Sequence, residues 1–312
     1  MTIEIAPKVG PSQIAIAYER LGDPHAPPVL LIMGGGAQLI AWPDGFLDEL
    51  LRRGLQLIRF DNRDAGQSTH FTDAPVADFA AAYAGDLSSA SYSLSDMAGD
   101  AVGLLDLLGL DSVHLVGASM GGDIAQTIAL EHPRRVRSLT SMMSTTGAPL
   151  VGQPDPEALR ALAGSGPPTT REEVVETMLR AVRAVGSPDY PADLEAVADR
   201  ARRSFDRGFD APGMGRQGIA VLASGDRTPR LGAIDVPTLV IHGAADRLRN
   251  VSGGRATAAA IPGAELVVYD GMGHDLPRAL WPELAAKIAE LVERGEARRG
   301  RAGQSKTTVL PA

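Results

Sequence analysis

Short runs of apolar residues recur along the chain at 14–18, 29–33, 55–60, 113–116, 136–143, 238–242 and 265–269. The first alternates apolar and small residues, as an edge strand does. The later runs approach unbroken apolar stretches, the pattern of strands buried on both faces of a parallel sheet. Helical spacing appears between them, at 46–53, 95–108, 124–130, 255–260 and 282–293. The stretch 95–108 carries Met97, Val102, Leu105 and Leu108 on one face, with Ser95 as its expected N-cap. The stretch 124–130 stops ahead of His132-Pro133, and a proline disfavours helix in the residue before it. Strands alternating with helices predict right-handed crossovers and a doubly wound, mainly parallel sheet.

One region breaks the alternation. From about Thr146 to Leu231 no strand pattern is found, and two helical patterns run over 171–185 and 192–205. The strand pattern resumes at Thr238, so this region is an insertion within the domain. Residues 1–146 and 232–294 are therefore expected to form an α/β core. Residues 147–231 are expected to form a helical cap over one end of the sheet. The basic, aperiodic segment 295–312 reads as a disordered tail.

The run 113–116 leads directly into Gly117-Ala118-Ser119-Met120-Gly121, a G-x-S-x-G sequence between a strand and a helix. A chain that reverses sharply there holds its serine in a strained conformation at the tip. Neighbours two positions away must be small, and Gly117 and Gly121 are. Ser119 then presents a hydroxyl at the positive end of a helix. Such a hydroxyl needs a base in hydrogen-bond reach, and the base needs an orienting acid. The expected order is serine, acid, histidine. Asp246 follows the 238–242 run and His274 follows the 265–269 run, each just past a strand end. That edge of a parallel sheet is where ligands bind.

The other five histidines fit this role less well. His25, His70 and His132 lie in loops or at a helix end, and His114 and His242 sit inside strand runs, where packing explains them. Asp270 comes one loop early, and Asp275 is expected to project away from its neighbour His274. An oxyanion formed at Ser119 requires preorganised donors. The N–H of Met120 and that of Gly35, in the loop Gly34-Gly35-Gly36, are the candidates. A dinucleotide loop is excluded there, because Gly34, Gly36 and Leu39 do not complete G-x-G-x-x-G. The loop Asp61-Asn62-Arg63-Asp64-Ala65-Gly66-Gln67-Ser68 reads as a charged scaffold turn rather than as part of the site.

Composition narrows the picture. The 312 residues contain no cysteine, which excludes disulfides, thiolate catalysis and cysteine metal sites. No Asp and His residues cluster with metal-ligand spacing, so no metal is expected. A formal net charge of −8 argues against nucleic acid as a partner. Neither a secretory leader nor a membrane-spanning run is found, so a cytoplasmic monomer or homodimer is expected.

Together these residues resemble the α/β-hydrolase superfamily, in which the 61–68 loop is also a familiar signature. More narrowly, Met33-Gly34-Gly35-Gly36 with Trp42-Pro43, the 61–68 loop and Gly271-Met272-Gly273-His274 resemble the aclacinomycin methylesterase group. The resemblance implies the α/β-hydrolase fold and a carboxylic esterase without cofactor, with a helical cap over an apolar pocket and oxyanion donors at Gly35 and Met120. Two departures stand out. Many relatives carry His-Gly where this chain has Met33-Gly34. The segment Arg247-Leu248-Arg249-Asn250 is more basic than usual and lacks the common proline.

The expected reaction is hydrolysis of a small-molecule ester through an acyl-enzyme. Gly36, Met143, Phe205, Phe209 and Met214 are candidates for the substrate pocket. Lactone hydrolysis, carbon–carbon hydrolysis and perhydrolysis use the same triad and remain alternatives, as does a non-catalytic binding module on this scaffold.

Overall fold

The computed structural model describes residues 2–163 and 166–305. In chain order the strands are β1 (Glu4–Val9), β2 (Ile14–Leu21), β3 (Pro28–Ile32), β4 (Gln56–Phe60), β5 (Val113–Ala118), β6 (Val136–Met142), β7 (Thr238–Gly243) and β8 (Glu265–Tyr269). The helices are α1 (Asp44–Leu51), α2 (Phe79–Tyr83), α3 (Leu94–Leu107), α4 (Met120–Glu131), α5 (Pro156–Ala163), α6 (Arg171–Val185), α7 (Leu194–Asp206), α8 (Ala211–Ser224), α9 (Thr228–Leu231), α10 (Ser252–Ala260) and α11 (Trp281–Ser305).

The strands form one sheet in the order β1-β2-β4-β3-β5-β6-β7-β8. β2 pairs antiparallel with β1 and β4, and all pairings from β4 to β8 are parallel. Side chains divide between the faces with the two-residue period of a strand. On β3, Leu30 and Ile32 join a cluster with Met97, Leu104 and Leu105 of α3 and Ile124 and Ile128 of α4. Val29 and Leu31 face the other way, into a cluster with Phe46 and Leu50 of α1 and Leu284, Ile288 and Leu291 of α11. Every residue of β3, β4, β5 and β7 is buried, because helices cover both faces.

Three features differ from the sequence expectations. The first strand, β1, was not expected, and its Pro7 suits only an edge position. α3 begins at Leu94 with Ser93 as N-cap, in a capping box with Asp96. Ser95 instead donates its hydroxyl to Glu131 Oε1 at 2.9 Å. The segment expected to be a tail is helical as far as Ser305, because α11 continues. Glu296 on that extension accepts from Arg137 Nη1 at 2.9 Å, and Arg298 pairs with Asp235. Residues 306–312 lie outside the described residues.

Between β6 and β7 the described residues form five helices, α5 to α9, and no strand. The two strands are nevertheless parallel neighbours, so the chain leaves the sheet and returns beside its point of exit. No helix among the described residues is long and apolar enough to cross a membrane.

Candidate active site

Ser119 links β5 to α4 with φ 55° and ψ −123°, a left-handed conformation that a residue bearing a Cβ rarely adopts. The turn is closed by its glycines. A Cβ on Gly117 would lie 2.1 Å from the Gly121 carbonyl oxygen, and one on Gly121 would lie 2.0 Å from that of Ile32, at the end of β3. Ser119 N–H donates to Met142 O at 2.9 Å, which ties the tip of the turn to β6.

The loops after β7 and β8 meet this turn. His274 Nε2 stands 3.0 Å from Ser119 Oγ, and His274 Nδ1 stands 2.7 Å from Asp246 Oδ2. A carboxylate can only accept, so Nδ1 carries a proton and Nε2 is left to accept from the serine hydroxyl. The backbone N–H of His274 donates to Val185 O at 2.7 Å, at the end of α6. The other oxygen of Asp246 accepts from Leu248 N–H at 2.9 Å and Arg249 N–H at 2.8 Å. Burial would raise the Asp246 pKa. The opposing charge of His274 and the hydrogen bonds from His242, His274 and Arg249 outweigh it and hold the carboxyl well below its usual range.

The glycine loop lies against Ser119. A Cβ on Gly34 would come within 2.9 Å of Ser119 Cβ, and one on Gly35 would touch Met120 Sδ at 3.8 Å. Met120 is the first residue of α4, where backbone N–H groups lack intrahelical acceptors. Among the described residues the N–H groups of Gly35 and Met120 have no hydrogen-bond partner. Gly36 N–H is engaged, donating to Gln217 Oε1 at 2.7 Å.

The loop 61–68, expected to be a scaffold turn apart from the site, supports this glycine loop. Asn62 Nδ2 donates to Met33 O at 3.0 Å, and Leu39 N–H donates to Asp61 Oδ1 at 2.6 Å. Asp61 Oδ2 also accepts from Arg207 Nη2 at 2.6 Å. Arg63 is buried, paired with Asp100 at 2.6 Å and stacked against Phe71 and Tyr92.

Of the expected pocket residues, Met214 packs on Gly36, where an added Cβ would come within 2.7 Å of its Cγ and Sδ. Phe205 and Phe209 are half-buried, and Met143 is buried in the cluster beneath the turn. The sequence predicts a packing role for His242. It lies at the end of β7 with Nε2 2.7 Å from Arg249 O and 3.5 Å from Asp246 Oδ2.

Asp64, His70 and Asp210 bring ligating atoms within 4.8 Å of one another, a grouping that sequence spacing did not reveal. A guanidinium fills it. Arg216 binds both oxygens of Asp64, at 2.9 and 2.7 Å, and Asp210 Oδ2 at 3.0 Å. Tyr92 and the N–H of Phe71 also donate to Asp64. The carboxylates of the grouping are thus taken up in an ion-pair network with Arg216.

A family model of the alpha/beta hydrolase fold matches residues 27–277. The chain belongs to the α/β hydrolase fold family. Within that family it is similar to the rhodomycin D methylesterase of Streptomyces peucetius, 30% identical over 88% of this chain and 94% of the relative. It is also similar to the 2-hydroxy-6-oxononadienedioate/2-hydroxy-6-oxononatrienedioate hydrolase of Paraburkholderia xenovorans, 28% identical over 86% of each chain. Among solved structures of α/β-hydrolase architecture, the esterase RhEst1 of Rhodococcus sp. superposes with a TM-score of 0.70 over 93% of this chain and all of that one, at 21% identity.

Proposed function

We propose that this α/β hydrolase is a serine esterase that cleaves a carboxylic ester of an apolar or aromatic small molecule. The observation that carries the reading is the hydrogen-bonded row Asp246–His274–Ser119, at 2.7 and 3.0 Å. Ser119 Oγ attacks the ester carbonyl carbon as its proton passes to His274 Nε2. The oxyanion that forms accepts hydrogen bonds from Gly35 and Met120 N–H. Collapse breaks the bond to the leaving alkoxide, which takes the proton from His274. Water then loses a proton to His274, attacks the acyl-enzyme, and releases the acid and free Ser119. Asp246 holds the imidazole tautomer and stabilises the imidazolium. No cofactor enters any step.

The methylesterase relative supports the ester reading. Helices α5 to α9 are read as a cap, with Met214, Phe205 and Phe209 facing substrate and Gly36 and Met143 at its floor. A cytoplasmic monomer or homodimer fits a cysteine-free chain of net charge −8, which also disfavours a nucleic-acid partner. The carbon–carbon hydrolase relative supports a second reading on the same triad. A panel of p-nitrophenyl esters, methyl esters of aromatic acids, lactones and vinylogous diketones separates the two. The first reading expects ester turnover that Ser119→Ala abolishes while circular dichroism is unchanged. Ester turnover retained by that folded variant contradicts it.

A further inference from the structure

We propose that Gln217, on α8, is a positioning residue for the oxyanion donor at Gly35; the inference rests on the serine-esterase reading. Gln217 is fully buried, and its amide is held from both ends. Oε1 accepts from Gly36 N–H at 2.7 Å, and Nε2 donates to Arg63 O at 2.6 Å. Rotating the amide would set NH₂ against N–H and oxygen against oxygen, so only one orientation satisfies both neighbours.

The consequence falls on Gly35. The peptide before it is oriented by Gly34 O, which accepts from Ala37 N–H at 3.2 Å. The peptide after it carries Gly36 N–H, which Gln217 holds. Both peptide planes flanking Gly35 are therefore fixed, and its own N–H is committed to one direction beside Ser119. Glycines on either side make a peptide easy to turn, and Gly36 sits at φ 69°, where such residues are unrestrained. The loop draws this support from an inserted helix, 181 positions further along the chain. That helix is itself anchored one residue away, by the Arg216–Asp64 pair at 2.7 Å. The position of α8 thereby sets the geometry of the oxyanion hole.

Two variants test this in the full-length protein. Gln217→Met keeps the bulk and removes both hydrogen bonds. It is expected to lower kcat by about 10- to 100-fold with KM nearly unchanged, since losing an oxyanion donor outright costs about 10²–10³. It should also narrow the preference for an ester over the matching thionoester, whose sulfur uses the hole poorly. Gln217→Glu supplies a second readout. A neutral carboxyl accepts from Gly36 N–H and donates to Arg63 O, whereas a carboxylate sets an oxygen against the Arg63 carbonyl. The ratio of this variant's kcat to that of wild type should therefore rise as pH falls. Wild-type kcat and ester preference in Gln217→Met, or a pH-independent ratio in Gln217→Glu, overturns the inference alone. Wild-type turnover that survives Ser119→Ala overturns the underlying esterase reading and this inference with it.

Discussion

Arg249 Nη1 lies 2.9 Å from Asp123 Oδ2 and so fastens the loop that carries Asp246 to the helix that begins at Ser119. Asp123 is fully buried and also holds Arg227 Nη2 at 2.8 Å and the Ser144 hydroxyl at 2.8 Å. The basic segment after Asp246 is thus a clamp. Its inner arginine grips the core, while Arg247 pairs with Asp155 and Glu157 at the start of α5. Arg249→Met removes one of the two guanidinium groups that face the buried Asp123 carboxylate and is expected to destabilise by about 1–3 kcal/mol. It should lower kcat more than it raises KM, because the acid loop loses its tether. Urea denaturation and steady-state kinetics check both.

Asp246→Asn separates charge from shape. The amide oxygen can still accept from Leu248 and Arg249 N–H, so the loop should keep its form. The imidazole, facing an NH₂ group, is pushed to the wrong tautomer. A fall in kcat of roughly 10⁴ is expected, with circular dichroism unchanged.

The turn at Ser119 tolerates no side chain at its hinge. Gly121→Ala places a Cβ 2.0 Å from the Ile32 carbonyl oxygen, which is backbone and cannot swing away. The loss of stability should reach or exceed the ~1–3 kcal/mol of ordinary overpacking. Gly300→Ala, in exposed helix with nothing within 4 Å of the added carbon, should instead stabilise by up to about 1 kcal/mol. Thermal melts of the two variants should move in opposite directions.

His114 supplies a pH dependence. Burial lowers its pKa to about 4, although Glu296 at 3.1 Å pulls the other way and Arg137 and Arg299 add to the lowering. Ser138 Oγ occupies its other nitrogen at 2.8 Å. The unfolded chain, with an ordinary histidine near 6.5, binds more protons than the native state between about pH 6.5 and pH 4. Stability therefore falls as pH drops through that window. His114→Gln should flatten the slope there, as read from urea midpoints taken at intervals from pH 7 to about pH 4.

The parallel strands were legible because burial on both faces leaves runs such as Val29 to Met33 with little polar interruption. That Ser119, Asp246 and His274 would be brought together was legible because each follows the end of a strand of one parallel sheet, in the order serine, acid, histidine. The inserted helices were harder to read. α8 holds Gly213, Gly215 and Gly218, poor helix formers, although Asp210 as N-cap and a proline in the first turn mark its start. The support of the glycine loop was not legible at all. Gln217 and Gly36 lie 181 positions apart, and no local pattern records a hydrogen bond between them. The continuation of α11 past Glu293 was hidden in the same way, since Glu296 is held by Arg137 and His114 from elsewhere in the chain.

The most direct test of the proposed chemistry is intact-protein mass spectrometry after incubation with a fluorophosphonate, followed by peptide mapping of the adduct. The account predicts one phosphonyl group per chain, carried on Ser119, formed far more slowly in His274→Ala and absent in Ser119→Ala. A folded wild-type chain that stays unmodified at Ser119 while a known serine esterase labels under the same conditions would contradict it.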